Sequence, residues 1–162
     1  MSTIGPKRTQ LTEFGDVRHK LREAKDAYWS EQVDIQQKVA SAWLLYAEGK
    51  YDEALNAMSA AADAEDKTEK HPVTPGVPKP ARKLYGVMLL ERGMAKEALT
   101  AFEATLKKEP NRLEAYVGAA KAAEKSGDPV KARAYYEKVV AIASAADNTR
   151  TEVADARAYL KH

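Results

Sequence analysis

The residues able to carry chemistry in this 162-residue chain are few and far apart. Histidine occurs at His19, His71 and His162, with no two of them three or four positions apart, and cysteine is absent. A zinc site needs several nitrogen or sulfur ligands, usually two from one helical turn or one short loop, and the sequence offers no such pair. His71 precedes Pro72 and reads as a loop or capping residue. The acidic group Asp63, Glu65, Asp66 and Glu69 lacks the ligand order and central glycine of a calcium loop, and reads as a solvated helix end. There is no glycine-rich phosphate loop and no nucleophile elbow. The expectation is a chain with no catalytic residues, no metal and no cofactor, and so not an enzyme.

Charge points the same way. With 26 basic and 24 acidic side chains the net charge is +2, too small for an electrostatic hold on nucleic acid. Basic residues do cluster, at Lys79, Arg82 and Lys83 and again at Lys107, Lys108 and Arg112, but acids interleave both clusters or lie close by. They read as solvated and helix-terminating charges. No run of about 18 apolar residues is present, so no membrane span is expected. The opening MSTIGPKRTQ has no apolar run after its basic pair and is not a secretory signal. The expected location is cytoplasmic, or periplasmic if the chain is a fragment of a longer exported protein.

Elements that could hold a binding surface are easier to read. Thirty alanines against two phenylalanines and eight glycines favour helix and leave little for a β-branched sheet core. Three helical runs end at Gly49, Gly93 and Gly127, as expected where glycine closes a helix in the left-handed conformation. Five residues after each stands an alanine (Ala54, Ala98, Ala132), and four further on a large apolar residue (Met58, Phe102, Tyr136). Asp128 and Pro129 predict an N-cap and first helical position. Gly93 and Gly127 are 34 residues apart. Gly49 and Gly93 are 44 apart, and the surplus falls on Thr68–Pro80, which has four prolines between Pro72 and Pro80 and admits no through helix.

This arrangement resembles the tetratricopeptide repeat family. The middle copy carries Gly86, Leu89, Gly93, Ala98, Phe102, Thr105 and Pro110 at the pattern's positions, with Tyr85 for the usual leucine and Arg82 for the usual tryptophan. The last copy carries Tyr116, Ala119, Ala120, Ala123, Gly127, Ala132, Tyr136 and Val139. The first copy has Ala42, Leu45, Gly49, Ala54, Met58 and Ala61, with Lys38 at the expected aromatic. From about Leu21 the chain also resembles the C-terminal segment of a group of bacterial repeat proteins, through AYWSEQVDIQQ, AEDKTEKHPVTPG, PARKLYGVMLLE and FEATLKKEPNR. That likeness implies a fold and no activity.

The resemblance implies an all-α, right-handed αα-hairpin solenoid of about three repeats, near 35–66, 79–112 and 113–146. A flexible N-terminus (1–12) would precede a single domain over 13–162, with a proline-rich loop at 68–80 and a break near Lys25–Trp29. A capping helix is expected at 149–161, started by a capping box from Thr149 to Glu152. The family's groove positions fall on Val39, Trp43 and Tyr46, then Lys83, Val87, Leu90 and Glu91, then Val117, Lys121, Glu124 and Lys125. They imply a non-catalytic interaction module or scaffold that binds a peptide or helical segment of a protein partner on its concave face. Lysine and asparagine, which some relatives use to grip a terminal carboxylate, do not occur together at these positions. Packing against Phe14–Trp29 is the competing role for Trp43, Val87 and Leu90, and a core role is favoured for Val87. HPVTPGVPKP reads as a packed bridge ahead of a polyproline II recognition segment. Alternatively the chain is a self-associating repeat unit, a homodimer formed through aromatic residues such as Tyr28, Trp29 and Trp43, or an accessory segment of a larger bacterial repeat system.

Overall fold

The computed structural model describes residues 8–68, 77, 79–144 and 150–161. Among these the chain is all helical. The helices are α1 (Arg8–Glu23), α2 (Ala27–Ala47), α3 (Tyr51–Lys67), α4 (Ala81–Glu91), α5 (Ala95–Lys108), α6 (Leu113–Lys125), α7 (Pro129–Ile142) and α8 (Thr151–Leu160). The architecture is a series of αα-hairpins, α2/α3, α4/α5 and α6/α7, flanked by α1 and α8. No described helix is long and apolar enough to cross a membrane.

The hairpin turns share one construction. Gly127, at φ +80°, donates to Glu124 O while Asp128 donates to Ala123 O, which satisfies two carbonyls that the end of α6 would leave open. Gly49 and Gly93 repeat both bonds with their own neighbours. Asp128 then caps α7 by accepting from Lys131 N at 3.0 Å, with Pro129 at the helix start. Ala54, Ala98 and Ala132 are fully buried, and so are Met58 and Phe102, with Tyr136 at 4% exposure. The small residue therefore sits where two helices meet, and the large one fills the space a turn further on.

Two compact units are resolved, residues 1–84 and 85–162, with the boundary inside α4. The helix pairs in close contact are chain neighbours: α1/α2, α2/α3, α5/α6, α6/α7 and α7/α8.

In the first unit, Ile35, Val39 and Ala42 of α2 are buried, as are Ala54, Met58, Ala61 and Ala62 of α3. The α1/α2 break falls at 24–26, where Lys25 takes φ 57° and the Asp26 side chain accepts from Trp29 N. Helix α1 starts at Arg8, inside the stretch expected to be flexible, because RTQLTEF contains no helix breaker. Most of the expected 68–80 loop, with His71, lies outside the described residues.

In the second unit, Phe102 is the largest fully buried side chain, and Met88, Leu89 and a series of alanines are buried as well. Tyr136, Val139, Val153 and Ala156 join α7 to α8, so the last helix covers the apolar end of the array. Its N-cap is Arg150, which makes no side-chain cap bond, rather than Thr149, which lies outside the described residues. Because the helix starts later than expected, Glu152 falls in the first turn. There its charge favours the helix dipole instead of closing a capping box.

Candidate functional site

The second unit holds a cavity of about 370 Å3. Its apolar lining comes from Val87 and Leu90 on α4, Phe102 on α5, and Leu113, Val117 and Gly118 on α6. Positions 113, 117, 121 and 125 recur every four residues and so share one face of α6. Glu91, Glu114, Lys121 and Lys125 carry the charge, joined by Arg150 and Glu152 at the start of α8. Among the described residues Lys121 and Lys125 make no ion pair or hydrogen bond of their own. By contrast, Lys38 lies 2.7 Å from Asp34 and Lys131 lies 2.8 Å from Glu103. Two cations beside an apolar hollow are thus uncommitted to the fold.

The floor has a steric origin. A Cβ on Gly118 would come within 2.4 Å of the Phe102 ring, and one on Gly86 within 3.0 Å. Both glycines let the ring lie directly on the backbone of α4 and α6. The ring so held forms part of the cavity wall.

Six of the eleven residues expected at the groove line this cavity: Val87, Leu90, Glu91, Val117, Lys121 and Lys125. Val87, for which a core role was favoured, is half-buried in its wall. The other five are placed elsewhere. Glu124 accepts from the Tyr136 hydroxyl at 3.0 Å and so ties α6 to α7. Lys83 is 5% exposed, in the first turn of α4, where Pro80 and Ala81 are buried too. Val39 is buried and lines the seam between α1 and α2 with Phe14, Val17 and Val33. Trp43 and Tyr46 stand in a row of aromatic rings with Tyr51, at centroid separations of 5.6 and 5.0 Å. Leu113, Glu114, Arg150 and Glu152 were not anticipated. The four-residue spacing from Val117 pointed to Leu113, whereas Arg150 and Glu152 had been read only as part of a cap.

The acidic group at the end of α3 also differs from expectation. Glu65 is buried, and its Oε2 accepts from Ala81 N at 2.6 Å, capping the start of α4. Arg82 donates to Asp66 and Asp63 at 2.7 and 2.6 Å. Burial would lower the Arg82 pKa, but the two carboxylates outweigh it and hold the guanidinium more firmly charged than usual. These carboxylates therefore join α3 to α4, Glu65 from a buried position and Asp63 from an exposed one. No group of three or more metal-binding side chains converges among the described residues. His19 is exposed and lies 3.4 Å from Glu23, and His162 is outside the described residues.

Comparison with known proteins bears on the fold. Residues 86–147 match the tetratricopeptide repeat family. No curated protein matches the sequence. Among solved structures the fold is similar to PcrH from Pseudomonas aeruginosa, at TM-score 0.61 and 20% identity over 79% of this chain and 89% of that one. It is also similar to PcrH in complex with the chaperone binding region of PopD, at TM-score 0.64 and 19% identity over 80% and 90%. MamA (41-end) from Desulfovibrio magneticus RS-1 aligns at TM-score 0.55 and 12% identity over 93% of each chain. Residues 86–147 thus match the tetratricopeptide repeat family, and the fold along most of the chain is an all-helical hairpin array shared with these structures.

Proposed function

We propose that the chain is a non-catalytic interaction module whose second unit takes a peptide or helical segment of a protein partner in the cavity between α4 and α6. The observation that carries this reading is the apolar hollow of Val87, Leu90, Leu113 and Val117 beside the uncommitted Lys121 and Lys125. An apolar side chain of the ligand would leave water against Val87, Leu90, Leu113 and Val117, and an acidic neighbour would meet the lysines. The similarity in fold to PcrH, whose structure with the chaperone binding region of PopD is known, supports a peptide ligand. The test is to select peptides from a display library and measure their binding by fluorescence anisotropy. Val117→Glu and Lys121→Glu should each weaken a selected peptide at least about tenfold, corresponding to 1.4 kcal/mol or more. Peptides whose affinity neither change alters would sink the reading.

A further inference from the structure

The α1/α2 seam of the first unit holds another hollow, of about 550 Å3, which the peptide site leaves unused. Phe14 and Val17 line it from α1, and Val33, Gln36 and Ala40 from α2. Trp29 precedes Val33, Gln36 and Ala40 at helical spacing, so the four share one face of α2. Val17 is 47% exposed and Trp29 45% exposed. Among the described residues α1 is in close contact with α2 and with no other helix. The hollow and its apolar rim therefore stand open to a further helix.

Single exposed apolar residues need no explanation; what commits this face to one occupant is its charge pattern. Glu13, Val17 and Lys20 stand at i, i+4 and i+7, on one stripe of α1. Glu13 and Lys20 are exposed, and their side chains make no ion pair or hydrogen bond among the described residues. At 1.5 Å per residue the acid lies about 6 Å before Val17 and the base about 4.5 Å after it. Reversed, the stripe is nearly its own complement. An antiparallel copy of α1 sets Glu13 against Lys20, Val17 against Val17, and Lys20 against Glu13.

We infer that this face joins two copies of the chain about a two-fold axis beside Val17, with each Val17 set in the other's α1/α2 groove. Every contact then forms twice, and each copy supplies both the ridge and the groove. The charge pairs fix the antiparallel register more than they add affinity. The extent of the face sets the strength. Helix α1 has 16 residues and is about 24 Å long, so a two-helix face about 20 Å across covers about 480 Å2 per copy. Two such faces total about 1,000 Å2, the lower limit for a specific interface, so the dimer forms in the micromolar range or above.

The experiment is sedimentation of the full chain from micromolar to millimolar concentration. The expected result is a mass rising toward twice the monomer value. Val17→Glu, which keeps a good helix former in α1, should weaken the dimer at least about tenfold. Glu13→Lys and Lys20→Glu should each weaken it severalfold, because each sets like charges together twice. Both changes on one chain should restore it, and so should an equimolar mixture of the two single variants. Circular dichroism melting of each variant separates lost association from lost folding. A chain that stays monomeric to millimolar concentration overturns the inference, even if a foreign helix binds the groove. So does a dimer indifferent to Val17→Glu, or one that the double charge exchange fails to restore. None of these outcomes bears on the α4/α6 cavity, whose test uses other residues and other ligands.

Discussion

Phe102 lies so close to Gly118 that a Cβ on the glycine would stand 2.4 Å from two carbons of the ring. Helix propensity alone favours Gly118→Ala by about 1 kcal/mol, since Gly118 is inside α6. Packing opposes it: the ring is fully buried and cannot swing clear, and overfilling a close-packed site costs about 1–3 kcal/mol. Packing should win, so Gly118→Ala is expected to lower stability in urea titration. Gly118→Ala with Phe102→Leu should recover part of the loss. An alanine variant more stable than the parent would mean that the ring has room.

That contact also marks the limit of what the sequence shows. Gly93, Ala98 and Phe102 were legible because a turn, a helix crossing and a filled gap each demand one residue type at a fixed distance from the others. Groove positions carry no such demand. Lys83, Val39 and Trp43 were assigned by family register, but Lys83 is buried at the start of α4, and Val39 is covered where α1 packs on α2. Glu65 was misread because an isolated acidic run looks solvated, and its partner Ala81 lies sixteen residues away across the prolines. Pairings set by tertiary folding leave no local period.

The join between α3 and α4 is separable by substitution. Glu65→Gln keeps an acceptor for Ala81 N and should cost little. Glu65→Ala leaves that buried amide open and should cost about 1–3 kcal/mol. Arg82→Ala removes pairs whose carboxylates are 57% and 30% exposed, so solvent screening holds the loss to about 1 kcal/mol. Thermal unfolding of the three variants should rank Glu65→Ala as the most damaging. Equal losses for the Gln and Ala variants would show that the bond to Ala81 is not what stabilises α4.

Glu103 gives the protein an acid-sensitive tie. Burial pushes its pKa up, but donors from α7, the Lys131 ammonium at 2.8 Å and the Tyr135 hydroxyl at 2.7 Å, outweigh it and hold the carboxylate below its usual range. A depressed folded pKa contributes stability that is fully present above the unfolded value and is lost as pH falls through the folded one. Asp34 behaves alike, lowered first by its bond from Lys38, against burial, and then by Arg18. Glu103→Gln should therefore melt earlier than the parent at neutral pH, and the gap should close as the solution is acidified below the carboxylate range. A gap constant down to pH 2, a value below the ordinary carboxylate range, would remove the charge from the explanation.

Lys121 and Lys125 should act mainly on the rate of encounter. Neither is committed to an ion pair among the described residues, and Lys125 is exposed, so their field reaches solvent and falls off with salt. For a peptide with an acidic residue beside its apolar anchor, reversing both charges should slow association about tenfold at low ionic strength. Dissociation should change less, because the anchor contributes through desolvation, which those lysines do not alter. Val117→Glu should show the opposite pattern, with faster dissociation and nearly unchanged salt dependence of the on-rate, since it places a carboxylate in the apolar wall. Stopped-flow fluorescence across a salt series distinguishes the two. If both variants changed only the off-rate, the lysines would be packing elements of the cavity, not its means of attraction.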